Sequence, residues 1–201
     1  MTRNNILRAQ YRNSIKKELV RKSIHLCTAF VPSFFALDYW KTFFALTFIL
    51  LVYCTSEILR MRGKAIPLFA KLTEVASRKR DENKFVLGPV TLVLGILSSA
   101  LLFPPEAERI ALYALAFGDG LASLSGKLFG RTHIPFTRGK TVAGSLACFF
   151  AVFISSFLVC KKTEAALAFG VVALFTEMLP LKDFDNFLIP LVIGAVAKFI
   201  L

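Results

Sequence analysis

The chain has 201 residues, of which 56% are hydrophobic, and a mean hydropathy of +0.63. A soluble domain is roughly 45–50% apolar; here long apolar stretches alternate with short charged ones, which argues against a soluble globular protein and for an integral membrane protein. The formal net charge of +12 would suggest nucleic acid in a soluble chain, but the basic residues flank apolar stretches and no nucleic-acid-binding motif occurs, so no such partner is expected.

Residues 1–22 carry Arg3, Arg8, Arg12, Lys16, Lys17, Arg21 and Lys22, with Leu7, Tyr11, Ile15 and Leu19 recurring every four residues. That spacing predicts an amphipathic helix, lying in the membrane interface or packed on the bundle. No small-residue cleavage site follows, so a removable signal peptide is not expected. Apolar spans are predicted over 24–37, 42–58, 86–104, 108–125, 142–160, 163–180 and 186–201. They lack the alternation of a membrane barrel, and the other structure that satisfies its backbone in lipid is the helix. Between the second and third spans, Leu68, Phe69, Leu72, Val75 and Ala76 follow Pro67 at helical spacing and predict a second amphipathic helix. The expected fold is therefore an all-α integral membrane domain over residues 1–201, with about seven transmembrane helices and amphipathic interfacial helices. Cys27, Cys54, Cys148 and Cys160 lie in or at the ends of spans with no C-x-x-C pair, so they are expected as packing residues.

The charge pattern orients the spans. Basic residues collect before the first span, after the second (Arg60, Arg62, Lys64, Lys71, Arg78, Lys79, Arg80, Lys84) and after the fourth (Lys127, Arg131, Arg138, Lys140). The alternate connections are short and poor in net positive charge. The positive-inside rule then places the N-terminus in the cytoplasm and the C-terminus outside.

Ionisable residues near membrane depth are costly and point to function. Arg21, Lys22 and His25 open the first span, and Arg21 and His25 share a helical face. Glu57 and Arg60 close the second, either as part of a site or as a salt bridge at a helix end. Asp119 lies in the fourth between Gly118 and Gly120, where a carboxylate needs a cation or a strong donor nearby. Glu177 ends the sixth, and Asp183, Asp185 and Asn186 lead into the seventh. Gly118, Ala122, Gly126 and Gly130 form a ladder of small residues four apart, suited to close helix packing or to a backbone approaching phosphate. Ser123 is one helical turn beyond Asp119. Arg138, Gly139, Lys140, Thr141, Gly144 and Ser145 then enter the fifth span, a composition suited to phosphate oxygens at a helix N-terminus. Ile134 stands where a Walker A loop requires glycine. Acids beside phosphate ligands suggest a divalent cation, and magnesium prefers one or two carboxylates plus substrate phosphates. Asp119 and Asp185 are the foremost candidates, with Glu177 and Asn186 in support. The residues thus point to an enzyme handling a phosphorylated, nucleotide-like substrate at the cytoplasmic face.

From Arg21-Lys22-Ser23-Ile24-His25 through Glu57-Ile58-Leu59-Arg60, Gly118 to Gly126, Gly139-Lys140-Thr141 and Gly144-Ser145 to Glu177, Asp185, Asn186 and Pro190, the chain resembles the CTP-dependent lipid kinases. That family includes dolichol kinase, phytol kinase and the CTP-using diacylglycerol kinase. Ala143 departs from the acid that many members carry at that position, which argues against a strict dolichol kinase. The resemblance implies transfer of the γ-phosphoryl group of CTP to a lipid alcohol: a polyprenol, a phytol-type prenol or diacylglycerol. It implies that Lys140 and Arg138 hold the triphosphate, with donors from Gly139, Gly144 and Ser145. Asp119 and Asp185 would hold Mg2+, or one would act as base, and Arg21 and His25 would orient phosphate or the lipid hydroxyl. The alternative reading is a phosphatidate cytidylyltransferase making CDP-diacylglycerol, and a transporter stands third.

Overall fold

The computed structural model describes residues 3–64, 73, 84–137 and 139–201; in the first helix, side chains are described at residue 12 and from residue 15 onward. Pro67, Leu68, Phe69, Leu72, Val75 and Ala76 of the second amphipathic stretch, and Arg138, lie outside the described residues. Among the described residues all regular structure is helical apart from one isolated antiparallel bridge, His133 to Thr141.

Helix α1 runs from Arg3 to Cys27. It joins the basic segment and the start of the first expected span into one helix, because neither glycine nor proline interrupts residues 3–27. A 3-10 turn, Thr28–Phe30, follows, and Pro32 sits in the first turn of α2, Val31–Leu37. Asp38 caps α3, Tyr39–Met61, by accepting from the Lys41 amide. Helix α4 spans Gly88–Leu102.

The fourth expected span is part of a longer helical run. It begins as α5, Pro105–Tyr113, loosens into a π-helical turn over Ala114–Asp119, and continues as α6, Gly120–Phe129. Helix α7, Val142–Cys160, coincides with the fifth expected span. Helices α8, Thr163–Met178, and α9, Asp185–Ile200, follow the last two within two residues.

Among the described residues two helices, α3 and α7, are long and apolar enough to cross a membrane. Only 17% and 33% of their apolar windows are buried, whereas the core helix of a soluble protein is mostly buried. Trp40, Phe44 and Phe48 of α3 and Phe150, Ile154 and Leu158 of α7 project outward. Such apolar outer faces suit lipid rather than water.

Inside, α7 packs against α6 and α8, and α9 against α4, α5 and α8. Ile110, Cys148, Val152, Phe169, Ile189 and Ile193 build the main core. A second cluster joins Phe35, Leu92, Ile96, Leu112 and Leu115. All four cysteines are free, and Cys148 and Cys160 are buried in the packing. This framework brings the C-terminal half of α1, α6, the start of α7, the end of α8 and the start of α9 to one end of the bundle.

Candidate active site

Asp119 closes the π-helical turn, and such turns within helices are frequent at functional sites. Its carboxylate is buried and meets two basic side chains of α1. Lys22 donates to Oδ2, and His25 Nδ1 lies 2.9 Å from the same oxygen. Lys22 and His25 are i,i+3 on α1, so one helix face supplies both partners. Arg21, one helical turn from His25, bonds Glu18.

Lys140 enters from the loop before α7. Its ammonium lies 2.6 Å from Glu177 Oε2 and 3.8 Å from Asp185 Oδ2. Burial opposes its charge, but the carboxylates of Glu177, Asp185 and Asp119 outweigh that and hold its pKa above the ordinary lysine value. One oxygen each from Asp119, Glu177 and Asp185 falls within a 4.8 Å group. Residues 119, 177 and 185 come from three helices, so only the tertiary fold assembles them. They line a cleft of about 500 Å³, together with Lys22, Ser123, Lys127, His133, Thr137 and Lys182.

A second polar contact joins α1 to α6 beside this group. Glu18, 6% exposed, accepts from Arg21, from the Ser123 hydroxyl and, at 3.1 Å, from Lys127. Glu18, Lys22 and His25 follow one face of α1; Asp119, Ser123 and Lys127 follow one face of the opposing run. The two stripes interlock with charges alternating. Burial works to raise the Glu18 pKa, but Arg21, Ser123, Lys22 and Lys127 overcome it and bring it down to about 2. Glu18 was not singled out from the sequence, where it is one acid in a basic segment; its i,i+4 spacing to Lys22 is the signal that could have found it.

The small-residue ladder is used for packing. Gly118 lies against Cys148 and Val152, and Gly126 and Gly130 against Thr141; Gly120, outside the ladder, lies against Leu26. At Gly144 a Cβ would stand 2.8 Å from the Ala122 carbonyl oxygen, so glycine lets α6 and α7 approach. Gly126 and Gly144 also line the cleft. Thr141 caps α7 by accepting from the Gly144 amide at 3.2 Å, and the Val142 and Ser145 amides bond to Thr132 and Thr141 carbonyls. These three donors of the α7 N-terminus are thus committed to the protein rather than presented to an anion. The Ser145 hydroxyl is buried without a hydrogen-bond partner. Gly139 holds a φ of +94° and faces open space in the cleft wall, a backbone state that favours glycine.

Other sequence candidates fall elsewhere. Glu57 binds Arg60 through two hydrogen bonds of 2.9 and 2.7 Å and accepts from Thr73 and the Val86 amide. Arg60 also donates to the Lys84 carbonyl. This pair ties α3 to the approach to α4 and does not line the cleft. Asn186 turns its amide nitrogen toward α4, to the Gly88 carbonyl and Thr91 Oγ1, each at 3.2 Å. It anchors α9 and departs from the expected ligand role because its side chain faces α4 rather than the three carboxylates.

Over 210 residues the chain is 30% identical to the probable phytol kinase 1, chloroplastic, of Glycine max, covering 94% of this chain and 68% of that protein. It is 30% identical over 203 residues to phytol kinase 1, chloroplastic, of Arabidopsis thaliana, covering 90% and 66% respectively. With CTP-dependent diacylglycerol kinase 1 of Saccharomyces cerevisiae the identity is 22% over 204 residues, covering 87% and 70%. The chain thus spans about two thirds of the length of these relatives. No family model and no solved structure matches it. With 30% identity over most of both proteins in the two phytol kinase matches, the chain belongs to the CTP-dependent lipid kinase family.

Proposed function

We propose that this chain transfers the γ-phosphoryl group of CTP to the hydroxyl of a membrane lipid alcohol, a polyprenol, phytol-type prenol or diacylglycerol. The observation that carries the reading is the convergence of Asp119, Glu177 and Asp185 with Lys22 and Lys140 in one cleft. Its relatives by name are kinases of phytol, farnesol and diacylglycerol, which leaves the cytidylyltransferase alternative unsupported.

In the reaction the alcohol oxygen bonds to the γ-phosphorus as the bond from that phosphorus to the CDP oxygen breaks. The alcohol proton leaves to a cleft carboxylate, and the products are a lipid monophosphate and CDP. Such transfer depends on positioning and charge neutralisation more than on covalent catalysis by the protein. Three buried carboxylates with oxygens grouped within 4.8 Å fit a hard divalent cation such as Mg2+. Asp119, Glu177 and Asp185 would hold it, and it would supply charge neutralisation at the phosphate oxygens. Lys22 and His25 fix the Asp119 carboxylate, and Lys140 fixes Glu177 and Asp185 while presenting its ammonium to the cleft.

We also place the protein in the cell membrane as a multi-pass chain of seven spans, with the N-terminus and the cleft on the cytoplasmic side. Supporting this, the cleft draws on Lys22, on residues 119–144 and on residues 177–185. These lie at the expected cytoplasmic ends of the spans; the connections near residues 38, 103–109 and 161–164 contribute nothing to it. A transporter would place such groups along a midplane path instead. CTP can then arrive from water while the alcohol diffuses laterally in the bilayer.

The test is transfer by the purified protein from CTP labelled in either the γ- or the α-phosphate to a panel of lipid alcohols. Label in the lipid from the γ position alone supports the kinase. Label from the α position, with release of pyrophosphate, would overturn it.

A further inference from the structure

The charges in the cleft are unevenly assigned. Asp119, Glu177 and Asp185 face Lys22 and Lys140, which sit in ion pairs with them. This carboxylate group suits a divalent cation, and through it the transferred phosphate, rather than direct contact with the rest of the phosphate chain. Among the described residues, the other cationic side chains on the lining are Lys127 and Lys182, with His133 as a titratable neighbour.

Each of the two lysines is held in an unusual way. Lys127 lies in the last turn of α6 and is 37% exposed, its ammonium resting on the buried Glu18 carboxylate that also accepts from Ser123. Lys182 occupies the turn between α8 and α9 with φ +59°, a left-handed state that costs a non-glycine residue on the order of 1 kcal/mol and gathers at ligand-binding sites. It makes no ion pair with any described residue. Pro180 and Asp185, either side of it, also line the cleft.

We propose that Lys127 and Lys182 form a second, basic pole of the cleft that binds the non-transferred phosphates of the nucleotide, and that Glu18 is a positioning residue for Lys127 and Ser123. The acidic pole then receives the phosphorus that moves, and the basic pole holds the part that leaves as a nucleoside diphosphate. Glu18 acts through Lys127: its carboxylate keeps the ammonium at the wall of the cleft rather than in bulk water. This places nucleotide recognition on the end of α6 and the α8–α9 turn, away from the α7 N-terminus, whose amides are largely committed to the protein. The inference rests on the nucleotide-kinase reading of the same cleft.

The experiment combines steady-state kinetics with equilibrium binding of labelled CTP to the purified, membrane-reconstituted protein. Lys127→Ala and Lys182→Ala should each raise the KM for CTP about tenfold while kcat stays within about twofold, as expected for loss of one charge-assisted phosphate contact. Lys127→Arg and Lys182→Arg should restore most of the affinity. Glu18→Gln should raise the KM for CTP, and adding it to Lys127→Ala should have little further effect, because both act on one contact. The KM for the lipid alcohol should not move in any variant. An unchanged KM for CTP in both lysine variants would overturn the proposal, as would a fall in kcat alone. Additive effects of Glu18→Gln and Lys127→Ala would remove the positioning role. If wild-type protein transfers no γ-phosphate, the kinase reading fails, yet direct CTP binding still decides whether the two lysines hold a nucleotide.

Discussion

Replacing Asp119 by asparagine keeps the shape of the side chain and removes its charge. Lys22, its side chain only 2% exposed, would then lose its counter-charge at the centre of the α1–α6 contact, and His25, 6% exposed, would lose its charged neighbour. Breaking a buried pair from one side costs about 3–5 kcal/mol. The asparagine oxygen still accepts one hydrogen bond, and Glu177 and Asp185 stand close by, so we expect about 3 kcal/mol, near the lower end of that range. In a chain of this length that corresponds to a fall in Tm of roughly 6–12 °C. Turnover should fall at least about 10²–10³-fold, the scale of losing one preorganised electrostatic partner at the reacting centre. The assay is γ-phosphoryl transfer from CTP by protein that is still membrane-inserted, with thermal unfolding measured on the same preparation. A double variant, Lys22→Met with Asp119→Asn, removes both charges and should regain much of the stability while remaining inactive. Activity unchanged in Asp119→Asn, or restored along with stability in the double variant, would refute the placement of Asp119 in the chemistry.

Lys140→Ala leaves Glu177 and Asp185 without their shared ammonium and should lower the rate at saturating CTP by about 10²-fold or more; a wild-type rate would remove Lys140 from the site. Because its pKa is raised, Lys140 stays protonated through neutral and mildly alkaline pH, and its contribution to stability fades only as pH rises through the folded value. Glu18 behaves in the opposite sense. Its folded pKa of about 2 lies below the unfolded 4.5, so its stabilisation is full above pH 4.5 and is lost as pH falls toward 2. Glu18→Gln should therefore flatten the acid limb of stability between those values, measured as Tm against pH, and an unaltered limb would contradict the buried ion-pair assignment. Gly144→Ala should lower stability by about 1–3 kcal/mol, since the added methyl meets a backbone oxygen that cannot rotate away; a neutral effect on Tm would show that α6 and α7 can part freely.

The apolar runs made the helices legible: α7 falls on its expected limits because Thr141 caps it and charged residues follow it. The start of the first span was not legible, since no breaker separates the basic segment from the apolar one and the helix simply continues. The π-helical turn was also invisible, because a one-residue change of hydrogen-bond register leaves apolar periodicity nearly intact. At the site, Asp119 stood out as a costly carboxylate, and its partner Lys22 was among the candidates. What pairing alone could not decide was which cation turns inward: Arg21 and Lys22 are adjacent, and the packing of α1 on α6 selects the second. Asn186 shows the converse. It neighbours Asp185 in sequence, but successive helical positions point about 100° apart, and one faces the cleft while the other faces α4.

If the three buried carboxylates form the cation-dependent centre of phosphoryl transfer, they should bind manganese, a stand-in for magnesium that electron paramagnetic resonance detects in the purified protein with and without CTP. The wild type should bind manganese, more tightly with CTP present, and Asp119→Asn, Glu177→Gln and Asp185→Asn should lose or strongly weaken that binding. Manganese bound equally well by all three variants would rule the carboxylate centre out.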